Sequence, residues 1–163
     1  MAKTEVLLSL GSNVDREYHL KAALDALGEA YGPLDVSPVY ESAAVGFSGD
    51  AFFNLAVALQ TDESLRDLNV HLKQIEDACG RDRSQPKFSD RTLDIDVLTY
   101  GDLAGEVEGI KLPRYEVYKN AYVLKPLADL RPNQPVPGNP EQTWQRLWLA
   151  FPHEKQPLTE VNL

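Results

Sequence analysis

Residues Arg81 to Gly101 read RDRSQPKFSDRTLDIDVLTYG, and the second half of this stretch decides the fold. Leu93, Ile95 and Val97 alternate with Asp94 and Asp96. Alternation with a period of two marks a half-buried strand, aliphatics on one face and both aspartates on the other. Side chains on one face of a strand stand roughly 6–7 Å apart. Two unit charges at that range repel by about 2–3 kcal/mol at an effective dielectric near 20. A cation between them removes that cost. Mg²⁺ suits the place, because it is held by one or two carboxylates with phosphates and waters completing the shell. A bare pair of acids two residues apart also fits a solvated strand face.

The first half of the stretch supplies the opposite charge. Arg81, Arg83, Lys87 and Arg91 lie within eleven residues, on a chain whose net charge is −9. Arginine forks match phosphate oxygens, and cations beside an acid pair are what a metal–polyphosphate site needs. Ser84, Gln85, Pro86, Ser89 and Asp90 between them read as a loop. Surface charge balance is the plainer reading of the same residues.

Working outward, 163 residues suit one domain, 1–163, with one core. Hydrophobic residues at 43% and charged residues at 25% are ordinary for a globular chain. The single Cys79 rules out an internal disulfide framework. No leader or membrane-spanning pattern is visible, so a cytoplasmic protein is expected with no membrane partner. The acidic balance, without a basic stripe, argues against nucleic acid as a partner. A monomer is expected.

Glu5–Leu10 reads as a buried strand ending at Gly11-Ser12-Asn13. Asp15 can cap a helix carrying Leu20, Ala23, Leu24 and Leu27, which Gly28 or Gly32 stops. Val36–Tyr40 reads as a second strand and Asn54–Thr61 as a third, with a loop from Ser42 to Phe53 between them. Ser64 opens a second helix with Leu65, Leu68, Leu72, Ile75 and Cys79 on its apolar face, ended by Gly80. The Asp94 strand follows. The order β-α-β-β-α-β predicts an α+β fold with a ferredoxin-like core, a mostly antiparallel sheet with helices packed on one face. Beyond Gly101, Lys111–Tyr115 reads as a short extended piece and Asn120–Leu130 as a short helix. Pro132, Pro135, Pro137 and Pro140 predict a rigid loop. Trp144, Leu147 and Trp148 predict a final helix, and the tail after Pro152 is expected to fray.

The common phosphate loop, the G-x-G-x-x-G turn, the H-E-x-x-H zinc motif and the G-x-S-x-G nucleophile elbow are all missing. His19, His71 and His153 are far apart in sequence and form no obvious ligand set.

Arg91-Thr-Leu-Asp94-Ile-Asp96-Val-Leu-Thr-Tyr-Gly101 resembles the R-T-L-D-[LI]-D-[IL]-x-x-[FY]-G signature of the 6-hydroxymethyl-7,8-dihydropterin pyrophosphokinase family of folate biosynthesis. Leu10-Gly-Ser-Asn13, Phe53-Asn54, Ile75-Glu76, Gly80-Arg81, Pro113 and Tyr122-Val-Leu-Lys-Pro-Leu127 support the resemblance in the same order, over roughly the first 130 residues.

The resemblance implies transfer of pyrophosphate from ATP to the pterin hydroxymethyl group, with release of AMP. It implies that Asp94 and Asp96 hold two Mg²⁺ ions with ATP, and that Arg81 and Arg91 offset charge on the transferred group. Ser42, Ala43, Val45, Phe52, Asn54, Phe88 and Tyr122 would line the pterin pocket. Glu76, Arg83, Val97, Ile110, Lys111, Arg114, Tyr115 and Lys119 would surround the nucleotide. The chain departs from the family pattern at Arg114, where histidine is usual, and at Asn120, near a usual arginine. It also departs at Ala43 and Ala44, where prolines are usual, and at Phe88, where tryptophan is usual. A diverged paralogue with altered or no transfer, and a ferredoxin-like interaction module, are the alternative readings.

Overall fold

A computed structural model describes residues 3–44, 49–80 and 92–163. Ten strands are assigned among them: β1 (Thr4–Ser12), β2 (Asp35–Val36), β3 (Val39–Ser42), β4 (Phe52–Thr61), β5 (Asp94–Tyr100), β6 (Gly105–Val107), β7 (Ile110–Leu112), β8 (Pro135–Val136), β9 (Asn139–Thr143) and β10 (Thr159–Val161). The α-helices are α1 (Arg16–Tyr31), α2 (Leu65–Ala78), α3 (Ala121–Leu130) and α4 (Trp144–Ala150). The main sheet runs β10-β3-β4-β1-β5, every neighbouring pair antiparallel, with β2 also paired to β4. Its central order is that of the expected β-α-β-β-α-β core.

The alternation in β5 behaves as read. Leu93, Ile95 and Val97 are buried in one core with Val6, Leu8 and Leu10 of β1 and the apolar stripes of α1 and α2. Leu20, Ala23 and Leu27 supply the α1 stripe, and Leu65, Leu68, Leu72 and Ile75 that of α2. Asp94 and Asp96 therefore point to the other face. A bulge between Val97 and Thr99, opposite Leu7–Leu8, ends the simple alternation and turns Leu98 into the second core.

The two helices of the β-α-β-β-α-β unit share one face as expected, and a second core lies on the other face of the sheet. Leu7, Ala58 and Leu98 are covered by Val117, Val123, Leu124, Leu127, Ala128 and Trp144, so α3 and α4 pack on the side away from α1 and α2. The sequence shows the cause: Leu55 to Leu59 is apolar at every position, and β4 buries residues on both faces.

Local signals mostly hold. Ser64 caps α2 by accepting from the Asp67 N–H at 3.1 Å. Gly80, at φ 83°, follows its end. Gly32, also at φ 83°, ends α1, whereas Gly28 lies within it. Asp15 occupies the α1 cap position but makes no side-chain capping bond; its backbone is left-handed at φ 45°. The second strand divides at Ser37-Pro38, where proline has no N–H for the ladder. The Ser37 hydroxyl accepts from the Ala56 N–H at 2.8 Å and bridges the gap.

Three segments beyond Gly101 are built into the fold. The prolines after Pro132 frame a small β8–β9 hairpin rather than a plain loop. Lys111 lies in a β6–β7 hairpin. The tail does not fray: β10 pairs with β3, and Val161 and Leu163 pack against the first core. No local periodicity announces a three-residue strand whose pairing partner is distant in sequence.

Two side chains hold the layers together. Glu76, 1% exposed, reaches from α2 to accept the Ile95 N–H at 2.7 Å, with Lys73 Nζ 3.5 Å from its other oxygen. Trp144 is fully buried and donates to Gln134 Oε1 at 3.0 Å, while Gln134 donates to Glu5 Oε1 of β1 at 3.1 Å. Truncation of Trp144 to alanine is expected to cost about 3–5 kcal/mol. Glu76→Ala, which strips a buried N–H of its acceptor, is expected to cost about 1–3 kcal/mol, and Glu76→Gln less. Urea midpoints at constant slope check both; an unchanged midpoint for Glu76→Ala would remove the brace from the account of β5.

Candidate active site

Strand register assembles the site. On β1, Gly11 pairs with Asn54 of β4 on one side and with Asp94 of β5 on the other. Ser9 likewise pairs with Asp96, and Ser42 of β3 with Phe52 of β4. One face of the sheet thus carries, in a row, Ser42, Phe52 and Asn54, a glycine floor, and the two aspartates. A methyl group on Gly11 would lie 3.3 Å from Asn54 Oδ1 and 3.8 Å from Phe52 Cδ2, so glycine keeps the middle of the row open.

Asn54 is buried and its orientation is fixed. Its amide nitrogen donates to Tyr40 O at 3.1 Å and to Ser42 Oγ at 2.8 Å. A nitrogen facing a carbonyl leaves no freedom to exchange amide N and O. The donor expected for a ligand edge is engaged within the protein, and Oδ1 is the atom turned over Gly11.

Tyr122 lies in the first turn of α3, where the acids act on its phenol. Burial first, and then the negative charges of Glu116, Asp96 and Asp94, push its phenol pKa up. Its hydroxyl accepts from Asn120 Nδ2 at 3.1 Å, so Asn120 steadies this ring instead of capping the helix with its side chain.

Arg114 flanks the aspartates along β5. Its backbone N–H donates to Leu98 O at 3.0 Å and its Nε to Val97 O at 3.2 Å. Its Nη2 lies 3.7 Å from Asp96 Oδ1, and its Nη1 3.9 Å from Glu116 Oε2. Tyr115 is exposed nearby in sequence, with Lys119 Nζ 5.5 Å from its ring centre.

The other residues singled out from sequence divide into groups. Val97 has its side chain in the first core, and its carbonyl is held by Arg114. Glu76 sits on the α2 side of the sheet, opposite the aspartates. Ile110 packs against the first core, and Lys111 is exposed on its hairpin. Ala43 is exposed just beyond β3. Val45, Arg81, Arg83, Phe88 and Arg91 lie outside the described residues. Gly11 and Glu116 were missed as parts of the site. The turn signature around Gly11 was legible, but its role as floor depends on two strand registers, and Glu116 is brought to the Arg114 guanidinium by the turn of 3₁₀ helix at Tyr115–Tyr118.

The donor chemistry fits Mg²⁺. Among the described residues no group of three or more His, Cys, Asp or Glu could enclose a metal. Two carboxylates on one face, with Asp96 39% exposed, form an open set of hard oxygens. Such a set leaves positions for phosphate oxygens and water.

Comparison with known proteins bears on the family and the fold. A model of the 7,8-dihydro-6-hydroxymethylpterin-pyrophosphokinase (HPPK) family matches residues 7–132. The chain is 35% identical over 127 residues to 2-amino-4-hydroxy-6-hydroxymethyldihydropteridine pyrophosphokinase of Bacillus subtilis, covering 76% of this chain and 75% of that one. It is 36% identical over 136 residues to the Pseudomonas aeruginosa protein of the same name, covering 81% and 83%. Against the bifunctional protein FolKE of Lactococcus lactis the identity is 36%, but the chain spans only 36% of that protein's length, with 76% of its own covered. The fold is similar to an HPPK-DHPS crystal structure in complex with substrates, at TM-score 0.72 and 13% identity, covering 94% of this chain and 44% of that one. Plasmodium falciparum HPPK-DHPS gives TM-score 0.71 at 13% identity, covering 91% and 41%. With a family signature around the aspartates, a family match over most of its length and two relatives matched along most of theirs, the chain belongs to the HPPK family.

Proposed function

We infer that the chain transfers the pyrophosphoryl group of ATP to the hydroxymethyl oxygen of 6-hydroxymethyl-7,8-dihydropterin, releasing AMP. The carrying observation is the shared sheet face. An acid pair suited to a metal–polyphosphate stands across Gly11 from a pocket edge made by Asn54 and Phe52. Family membership supports the hydroxymethylpterin as acceptor of the pyrophosphoryl group.

In this reading the substrates lie along the row from β3 to β5. Asn54 Oδ1 accepts from an N–H of the pterin, and its own nitrogen keeps the amide from rotating away. Phe52 and Tyr122 offer flat apolar faces to the ring, and Ser42 and Ala43 stand at the outer end. The raised phenol of Tyr122 remains protonated and adds no charge beside the carboxylates. Asp94 and Asp96 would hold two Mg²⁺ ions, which when bound draw the triphosphate in and offset its charge. Arg114, its Nη2 3.7 Å from Asp96, would offer its guanidinium to a phosphate beside that carboxylate. Arg81 and Arg91 are assigned the remaining phosphate charge by family likeness alone.

The reaction forms a bond from the hydroxymethyl oxygen to the β-phosphorus and breaks the one to the oxygen retained by AMP. It asks the protein mainly for alignment and charge stabilisation, which a rigid sheet face with flanking cations provides. A coupled assay for AMP from ATP and the hydroxymethylpterin, with and without Mg²⁺, tests the reading directly. Asp96→Ala is expected to lower AMP release by roughly 10²–10³-fold or more. Its urea midpoint should stay near the parent's, because Asp96 is part-exposed and outside both cores. Near-normal turnover in that variant would overturn the metal assignment.

A further inference from the structure

Beneath the row just described, on the opposite face of the same strands, lies a clamp that the proposed reaction has not used. Asp15, in left-handed backbone conformation, turns the chain sharply from β1 into α1 and makes Arg16 the first helical residue. Arg16 Nη1 donates to Glu41 Oε2 at 2.9 Å and to Ala51 O at 2.9 Å, and its guanidinium carbon lies 3.7 Å from the centre of the Phe53 ring. Asn13, buried, donates to Asp50 O at 3.1 Å. Two successive carbonyls just ahead of β4 are therefore held by side chains from the β1–α1 turn.

The placement gives the clamp its meaning. Glu41 and Phe53 are cross-strand partners. Their neighbours Tyr40–Asn54 and Ser42–Phe52, pairs in the same ladder, point to the other face and make the pocket edge. Fixing the Phe53 ring and the Ala51 carbonyl fixes the pleat that aims Phe52 and Asn54. A part-exposed Arg–Glu pair by itself is worth little. A guanidinium that also holds a main-chain carbonyl and stacks on an aromatic ring is different, because a lysine has no flat face to lay on the ring while its nitrogen holds the carbonyl.

We propose that Arg16 is a positioning residue for the pterin: it sets Phe52 and Asn54 at the pocket by gripping β4 from behind. The proposal rests on the pyrophosphokinase reading above. Its action is on pterin affinity, separate from the acid pair that serves the nucleotide.

The test pairs direct pterin titration by calorimetry with steady-state kinetics on the full chain. Arg16→Met is expected to raise the pterin Kd and KM by about tenfold or more, leaving kcat and the ATP KM within about twofold. Arg16→Lys should recover only part of the loss. Glu41→Gln, which removes the ion pair but leaves the guanidinium on Ala51 O and Phe53, should bind pterin within about threefold of the parent. Unchanged pterin affinity in Arg16→Met would overturn the proposal while the parent's AMP release still upheld the reaction. So would equal losses in Arg16→Met and Glu41→Gln, which would reduce the clamp to an ordinary ion pair. A parent that neither binds the pterin nor releases AMP would overturn the reaction, and the proposal with it.

Discussion

The site depends on one constraint of register. Gly11 must stand between Asn54 and Asp94, and the hydrogen-bond ladders of β1 with β4 and β5 put it there. A strand neighbour on the same face is otherwise a side chain, and here any side chain would press on the Asn54 amide. Slipping either ladder by one residue would turn the aspartates or the asparagine into the core. The two cores guard against that slip, since each strand buries apolar residues on the α1–α2 side while β1, β4 and β5 also bury Leu7, Ala58 and Leu98 on the other.

Much of this was legible in the chain. The alternation from Leu93 to Val97 gave the face of each aspartate, Ser64 and Gly80 marked the ends of α2, and of the two glycines offered for the end of α1 it is Gly32 that stops it. These are local signals, carried by period and by backbone freedom. What escaped was nonlocal. The second helical layer needed β4 to be recognised as buried on both sides. The clamp of Arg16 on Ala51 and Phe53 joins residues more than thirty positions apart, and no spacing rule points to it. β10 is three residues long and exists because β3 offers it a partner.

Departures from the family pattern also change meaning once placed. Arg114 is not simply a charge where histidine is usual: its backbone and side chain lie along β5, and its fork spans Asp96 and Glu116. Asn120 lacks the charge of an arginine, yet its amide holds the hydroxyl of Tyr122. Both positions remain tied to the acids, one by charge and one through a ring.

The brace at Glu76 has a consequence beyond the site. β5 closes the hydrogen-bonded order of the main sheet, and the outer side of such a strand is normally a template for another chain. Here the Ile95 N–H is taken by a buried carboxylate, the Val97 carbonyl by Arg114 Nε and the Leu98 carbonyl by the Arg114 N–H. Three of the groups along that edge are therefore already engaged from within. That makes this strand a poorer template for edge-to-edge growth of the sheet, while the face that carries Asp96 stays part-exposed.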